Sequence, residues 1–75
     1  MTNAYARAFR AYIRRTGTSQ SKLARHIGCS QTIISQYVAG DRFPKREMAK
    51  LISAKTRGQI GLEAWKAAAI ARALA

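Results

Sequence analysis

Apolar residues recur along this chain at helical spacing, and glycines divide the pattern into helix-sized pieces. Tyr5, Ala8, Phe9, Tyr12 and Ile13 fall at i, i+3, i+4, i+7 and i+8, which is one stripe on a helix spanning roughly 3–16. Gly17 suits the left-handed position that follows such a helix. Ser19 is a good N-cap for a second helix, with Leu23, Ala24 and Ile27 turned inward before Gly28 stops it. Ser30 opens a third that runs to about Ala39, with Ile34, Tyr37 and Val38 inward and Gly40 at its end. Pro44 is placed to be the first residue of a fourth, with Met48, Leu51 and Ile52 inward and Gly58 closing it. Leu62 to Leu74 is Ala-rich, with Leu62, Trp65 and Ala69 on one side of a fifth helix. Gln59-Ile60 is the lone extended fragment. The pattern predicts an all-α, compact five-helix domain.

Length narrows the picture further. Seventy-five residues make at most one domain, 1–75, and such a chain buries only about 60–65% of its unfolded surface. Cys29 is the one cysteine, so no disulfide framework supports the core, and a single thiol fits a reducing compartment. Arg7, Arg10, Arg14 and Arg15 interrupt the apolar stretch a signal peptide would need. There is no run of about 20 apolar residues, so no membrane span is expected.

Charge changes the picture most. The balance is 14 Lys plus Arg against 3 Asp plus Glu, a formal net charge of +11. Such an excess repels itself in the folded state, and a polyanion relieves it. Nucleic acid is the commonest such partner, because neutralised phosphates release condensed counterions. A generally basic protein, or one that binds an anionic membrane surface, is the alternative reading of charge alone.

The order of residues between Gln20 and Tyr37 adds the rest. Gln20, Ala24 and Gly28 follow one another at intervals of four, and Ile34 and Tyr37 come after them. Two helices crossing steeply after a tight turn must approach closely, which a small residue at Ala24 permits. Gly28 lets the turn adopt positive φ without a Cβ penalty. This arrangement resembles the helix-turn-helix of the Cro and lambda-repressor (XRE-type) family over about Thr18 to Pro44, with the motif at about 19–39. The resemblance implies a lambda-repressor-like domain whose second motif helix enters the major groove of double-stranded DNA. The positions it turns to the bases are Ser30, Gln31, Thr32, Ser35 and Gln36. None is charged, and all carry hydrogen-bonding groups suited to base edges, Gln to adenine above all. Ile33 is either partly buried or set against a thymine methyl. Phosphate contacts are expected from Gln20, Lys22, Arg25, Arg42, Lys45 and Arg46, which flank the polar face. The helix opened by Pro44 also offers backbone N–H groups to a phosphate.

Other residues carry less. His26 has no partner for a metal site or catalytic dyad and is read as solvent-facing or near a phosphate. Cys29 fits a small apolar slot in the turn. Asp41, Glu47 and Glu63 are too few and scattered for acid–base work, so no enzyme, metal or cofactor is expected. The spacing of Tyr5, Phe9 and Tyr12 says core rather than base stacking. The arginines of the first helix either extend a DNA footprint or form a solvated face. Lys50, Lys55, Arg57, Lys66 and Arg72 are assigned only to field and solubility. Trp65 must bury its ring in its own core or at a subunit interface. Leu62, Trp65, Ile70 and Leu74, within the segment 61–75, are therefore candidates for dimerisation.

The resemblance implies a transcriptional regulator, foremost a phage Cro-type repressor that binds a pseudo-palindromic operator as a homodimer, two recognition helices about 34 Å apart. It implies a cytoplasmic place at the nucleoid of a bacterial host and no small-molecule ligand, since the chain leaves no room for a sensory domain. Lambda Cro ends in strands, whereas this chain ends in an Ala-rich helix. A phage CII-type activator or the antitoxin of a toxin–antitoxin pair fits that feature as well. Two competitors belong to other classes. A non-specific architectural or RNA-binding protein would leave the uncharged Gln31 and Gln36 unexplained. A protein-interaction module would depend on the residues after Gly61 and not on DNA.

Overall fold

Three of the helices begin on the same chemistry. In the computed structural model, which describes residues 3–74, the elements are α1 (Ala4–Thr16), α2 (Gln20–Ile27), α3 (Gln31–Ala39), α4 (Arg46–Lys55) and α5 (Leu62–Leu74), with no strand among the described residues. The Asn3 side-chain carbonyl accepts from Ala6 N at 2.8 Å, Ser19 Oγ from Lys22 N at 3.1 Å, and Ser30 Oγ from Ile33 N at 3.2 Å. Each bond satisfies one of the amides that a helix start leaves without a partner. The same three helices end on Gly17, Gly28 and Gly40 in the left-handed conformation.

The fourth helix departs from the expectation. It starts at Arg46, with Lys45 in the N-cap position and no side-chain cap bond. Pro44 is therefore not its first residue. The proline is buried in the preceding loop, and its carbonyl accepts from Trp65 Nε1 at 2.9 Å. A long-range contact holds it there, which local preference cannot reveal. The inward face of α4 also differs. Ile52 is fully buried and Met48 half-buried, as expected, but Leu51 is 38% exposed and Ala49 takes its place inside. One residue turns a helix by about 100°, so a stripe through Ala49, Ile52 and Thr56 carries the adjacent Leu51 out of the core.

The core draws on every element: Tyr5 and Phe9 from α1, Leu23, Ala24 and Ile27 from α2, Ile34 and Tyr37 from α3, Ile52 from α4 and Ala68 from α5. Ala8, Tyr12, Ile13 and Val38 pack at its margin, as their spacing predicts. Fully burying each large aliphatic or aromatic side chain contributes about 1.5–3 kcal/mol before entropy is set against it. α1 lies between α3 and α5, α2 packs on α3 and α4, and α4 on α5.

Ile60 joins this core from a turn, not from an extended segment. Residues 56–60 form turns and bends, Arg57 and Gly58 have positive φ, and Ile60 is fully buried. Thr56 makes this possible. Its hydroxyl, inside the protein, donates to the Ile52 carbonyl at 2.7 Å and accepts from Ile60 N at 3.1 Å. A buried amide without such an acceptor would destabilise the turn.

Candidate nucleic-acid interface

The α2–turn–α3 unit is built around one carbonyl and one small side chain. Ala24 O accepts from Gly28 N at 2.8 Å and from Cys29 N at 2.9 Å, so α2 closes directly into the turn. Ala24 itself is buried, and its size lets the helices meet closely. Gly28 has φ 95° and ψ 33°, a conformation that L side chains rarely adopt. Cys29 is half-buried against the core, and burial pushes its thiol pKa up, so it remains a neutral thiol near pH 7.

Ile34 and Tyr37 anchor α3 in the core, and helical geometry then decides what faces outward. Gln31, Thr32 and Ser35 are exposed and Gln36 is half-buried. These four side chains line one open recess of about 300 Å³. Ser30 lies at the edge of this face, but its oxygen is engaged in capping α3, which leaves its O–H free to donate. Ile33 is half-buried and packs against the core.

The C-terminal end of α3 is braced from two directions. The Gln36 carbonyl receives Asp41 N at 2.9 Å and Arg42 N at 3.4 Å. From α1, Arg10 Nε donates to the Val38 carbonyl at 3.0 Å. A cation there satisfies an orphan carbonyl and opposes the negative end of the helix dipole.

The cations expected at phosphates surround this face in sequence. Gln20, half-buried, is the first residue of α2, and Lys22 and Arg25 are exposed further along it. Arg42, in the α3–α4 loop, and Lys45 and Arg46, at the start of α4, are exposed as well. That helix start carries two cations beside one acid, Glu47, and has no side-chain cap bond, so its first amides are open to an anion.

Besides Arg10, the basic side chains of His26 and Arg15 are tied internally. His26 is exposed, yet its Nε2 lies 2.7 Å from the Lys55 carbonyl. A carbonyl only accepts, so Nε2 carries the hydrogen, and the ring clips α2 to the end of α4. The ring is exposed, in keeping with a solvent-facing position, and the bond to Lys55 is an addition that local pattern does not reveal. Arg15 donates to the Gln59 side-chain carbonyl through Nε at 3.1 Å and a terminal nitrogen at 2.7 Å. Arg7 and Arg14 are exposed on α1.

The four α5 residues considered for dimerisation divide between two environments. Leu62 and Trp65 are half-buried, Trp65 against the core, whereas Ile70 is 62% and Leu74 82% exposed. Phe43, whose ring stacks on Trp65, was not identified from sequence. The available hint was one aromatic residue in the otherwise polar stretch between Gly40 and Pro44. Among the described residues no three His, Cys, Asp or Glu side chains come together to hold a metal, and no helix is long and apolar enough to cross a membrane.

A family model described as Helix-turn-helix matches residues 9–60, well over half of the 75 residues, from within α1 to the buried Ile60. No curated protein and no solved structure matched the chain. The match takes in α2, α3 and α4 and the later part of α1, and ends before α5. This chain belongs to the helix-turn-helix family of the Cro/lambda-repressor (XRE) type and is a DNA-binding regulator.

Proposed function

We propose that the protein is a sequence-specific transcriptional repressor that binds a pseudo-palindromic operator as a homodimer. The observation that carries base reading is the recess on α3. Gln31, Thr32, Ser35 and Gln36, all uncharged hydrogen-bonding residues, line one open surface on a helix whose opposite side is locked in the core. Gln bonds adenine through two hydrogen bonds, and Thr meets a thymine methyl or a base acceptor. Ser30 adds a donor at the leading end of that face.

Phosphate contacts divide into two groups, one on each side of α3. Gln20, Lys22 and Arg25 approach from α2, and Arg42, Lys45 and Arg46 from the loop and α4. They orient the domain while α3 supplies the sequence preference. Pairing of two copies through the exposed Ile70 and Leu74 of α5 presents two recognition helices to successive major grooves, about 34 Å apart. Repression follows from occupying the promoter.

Selection from a pool of random duplexes near physiological salt tests this reading. Enrichment of a palindromic motif in the wild type, relaxed in the Gln31→Ala/Gln36→Ala variant, is the expected result. Equal binding to all duplexes, with a steep salt dependence unchanged by the variant, would refute base reading.

A further inference from the structure

The loop that presents Arg42 and Lys45 and leads into α4 at Arg46 is held from behind by α5. Between these exposed cations, Phe43 is half-buried and Pro44 buried. The Phe43 ring stacks on Trp65 with centroids 5.9 Å apart and an interplanar angle of 14°. Tyr5 meets the same ring edge-on at 6.0 Å. The Arg72 guanidinium carbon lies 4.6 Å from the centre of the Phe43 ring, within cation–π range. Trp65 Nε1 donates to the Pro44 carbonyl at 2.9 Å. Trp65 and Arg72 are two turns apart on α5, so both fall on one side of that helix.

We propose that Trp65 and Arg72 are positioning residues for DNA binding, which hold the α3–α4 loop so that its cations meet the phosphates already ordered. The proposal rests on the DNA-binding reading given above. Residues 41–45 have no helix or strand of their own. Without an anchor they would lose their conformational freedom at the moment of binding, and the affinity would fall accordingly. Arg42 and Lys45 in the loop and Arg46 at the start of α4 place like charges close together in the chain, a repulsion that the half-buried Phe43 and the buried Pro44 oppose. Arg72 adds one more cation to this region, and the face of the Phe43 ring gives it an attractive neighbour.

A double-mutant cycle on the full chain tests this, with affinity for a duplex selected from the random pool read at fixed salt. Trp65→Phe keeps an aromatic ring and removes the N–H donated to Pro44. Arg72→Lys keeps the charge and loses the planar guanidinium, so a drop in affinity does not come from net charge. Each is combined with the loop variant Arg42→Ala/Arg46→Ala, and thermal melting shows that each variant is folded. The loop variant is expected to weaken binding about tenfold and each α5 variant about threefold to fivefold, with the combinations no weaker than about tenfold. Once the loop cations are gone, there is nothing left for the clamp to position.

If instead the losses multiply, to about thirtyfold or more, Trp65 and Arg72 act independently of the loop and the proposal is wrong while the DNA-binding reading stands. If the loop variant binds as well as the wild type, the proposal also fails, and the Gln31→Ala/Gln36→Ala variant still reports on base reading. A wild type that binds no duplex overturns both. Should Trp65→Phe fail to fold, Arg72→Lys, on the last turns of α5, gives the same cycle.

Discussion

Gly28 stands at the corner between α2 and α3, and replacing it with alanine isolates one physical effect. A Cβ built there has no atom within 4 Å, and the same holds at Gly17, the residue that ends α1. Neither substitution creates a clash, so each cost is backbone strain alone. At Gly17 the backbone has φ 68° and ψ 12°, close to the left-handed region that L residues visit. At Gly28 φ is 95°, well beyond it. A left-handed conformation costs an L residue about 1–2 kcal/mol, offset in part by the stiffer unfolded chain, worth about 0.4–1 kcal/mol. Gly17→Ala is thus expected to cost about 0.5–1 kcal/mol, and Gly28→Ala about 2 kcal/mol. In a domain of this size, about 2 kcal/mol corresponds to a Tm drop of roughly 8–16 °C. The assay is urea unfolding followed by far-ultraviolet circular dichroism, with DNA affinity measured on the same samples. Gly28→Ala is also expected to weaken DNA binding, because it disturbs the corner that aims α3, whereas Gly17→Ala leaves affinity unchanged. Equal losses of stability at the two sites would refute the strain argument. So would a loss above about 4 kcal/mol at Gly28, which would require a clash where the structure has open space.

Other outcomes follow from single contacts. Thr56→Val keeps the branched shape but leaves the buried Ile60 amide without its acceptor, since the Ile52 carbonyl retains Thr56 N at 3.0 Å. A loss of about 1–3 kcal/mol is expected by thermal melting, with Thr56→Ser losing less. The Tyr5 hydroxyl is buried and has no hydrogen-bond partner among the described residues, so Tyr5→Phe should be neutral or stabilising by up to about 1 kcal/mol at pH 7. Burial, and then Tyr37 nearby, push the Tyr5 pKa above the ordinary 10.0. The folded state therefore holds this proton longer than the unfolded state does. Stability is fully present below about pH 10 and falls as pH rises beyond it, and Tyr5→Phe should flatten that alkaline decline by up to about 1.4 kcal/mol per pH unit. Finally, Lys22→Gln/Arg25→Gln should lower affinity for all duplexes alike and reduce the slope of log K against log salt by about 1.8 per protomer. An unchanged slope would remove both residues from the phosphate contacts.

The sequence by itself determined what depends on neighbours within a few residues. The apolar spacing of Tyr5 and Phe9, the serine caps at Ser19 and Ser30, and the glycines after α1, α2 and α3 specify where those helices start and stop. The interval from Gln20 to Ala24 to Gly28 carries the helix-turn-helix resemblance only together with the apolar spacing, the loop from Gly40 to Pro44 and the net charge. With Ile34 and Tyr37 inward, the 3.6-residue period puts Gln31, Thr32 and Ser35 outside. Tertiary structure decided whatever depends on residues far apart in the chain. The start and rotation of α4 are set by Trp65 holding Pro44 and by close packing at the small Ala49, not by helix preference. His26 finds the Lys55 carbonyl only because α2 and α4 pack together. Thr56 and Ile60 are only four residues apart, but they are buried only because the rest of the core closes over them. Phe43, Trp65 and Arg72 meet across a loop and a helix, and no local period encodes such a meeting. Local preferences act through the backbone and extend about one turn, whereas these contacts exist only after the core has closed.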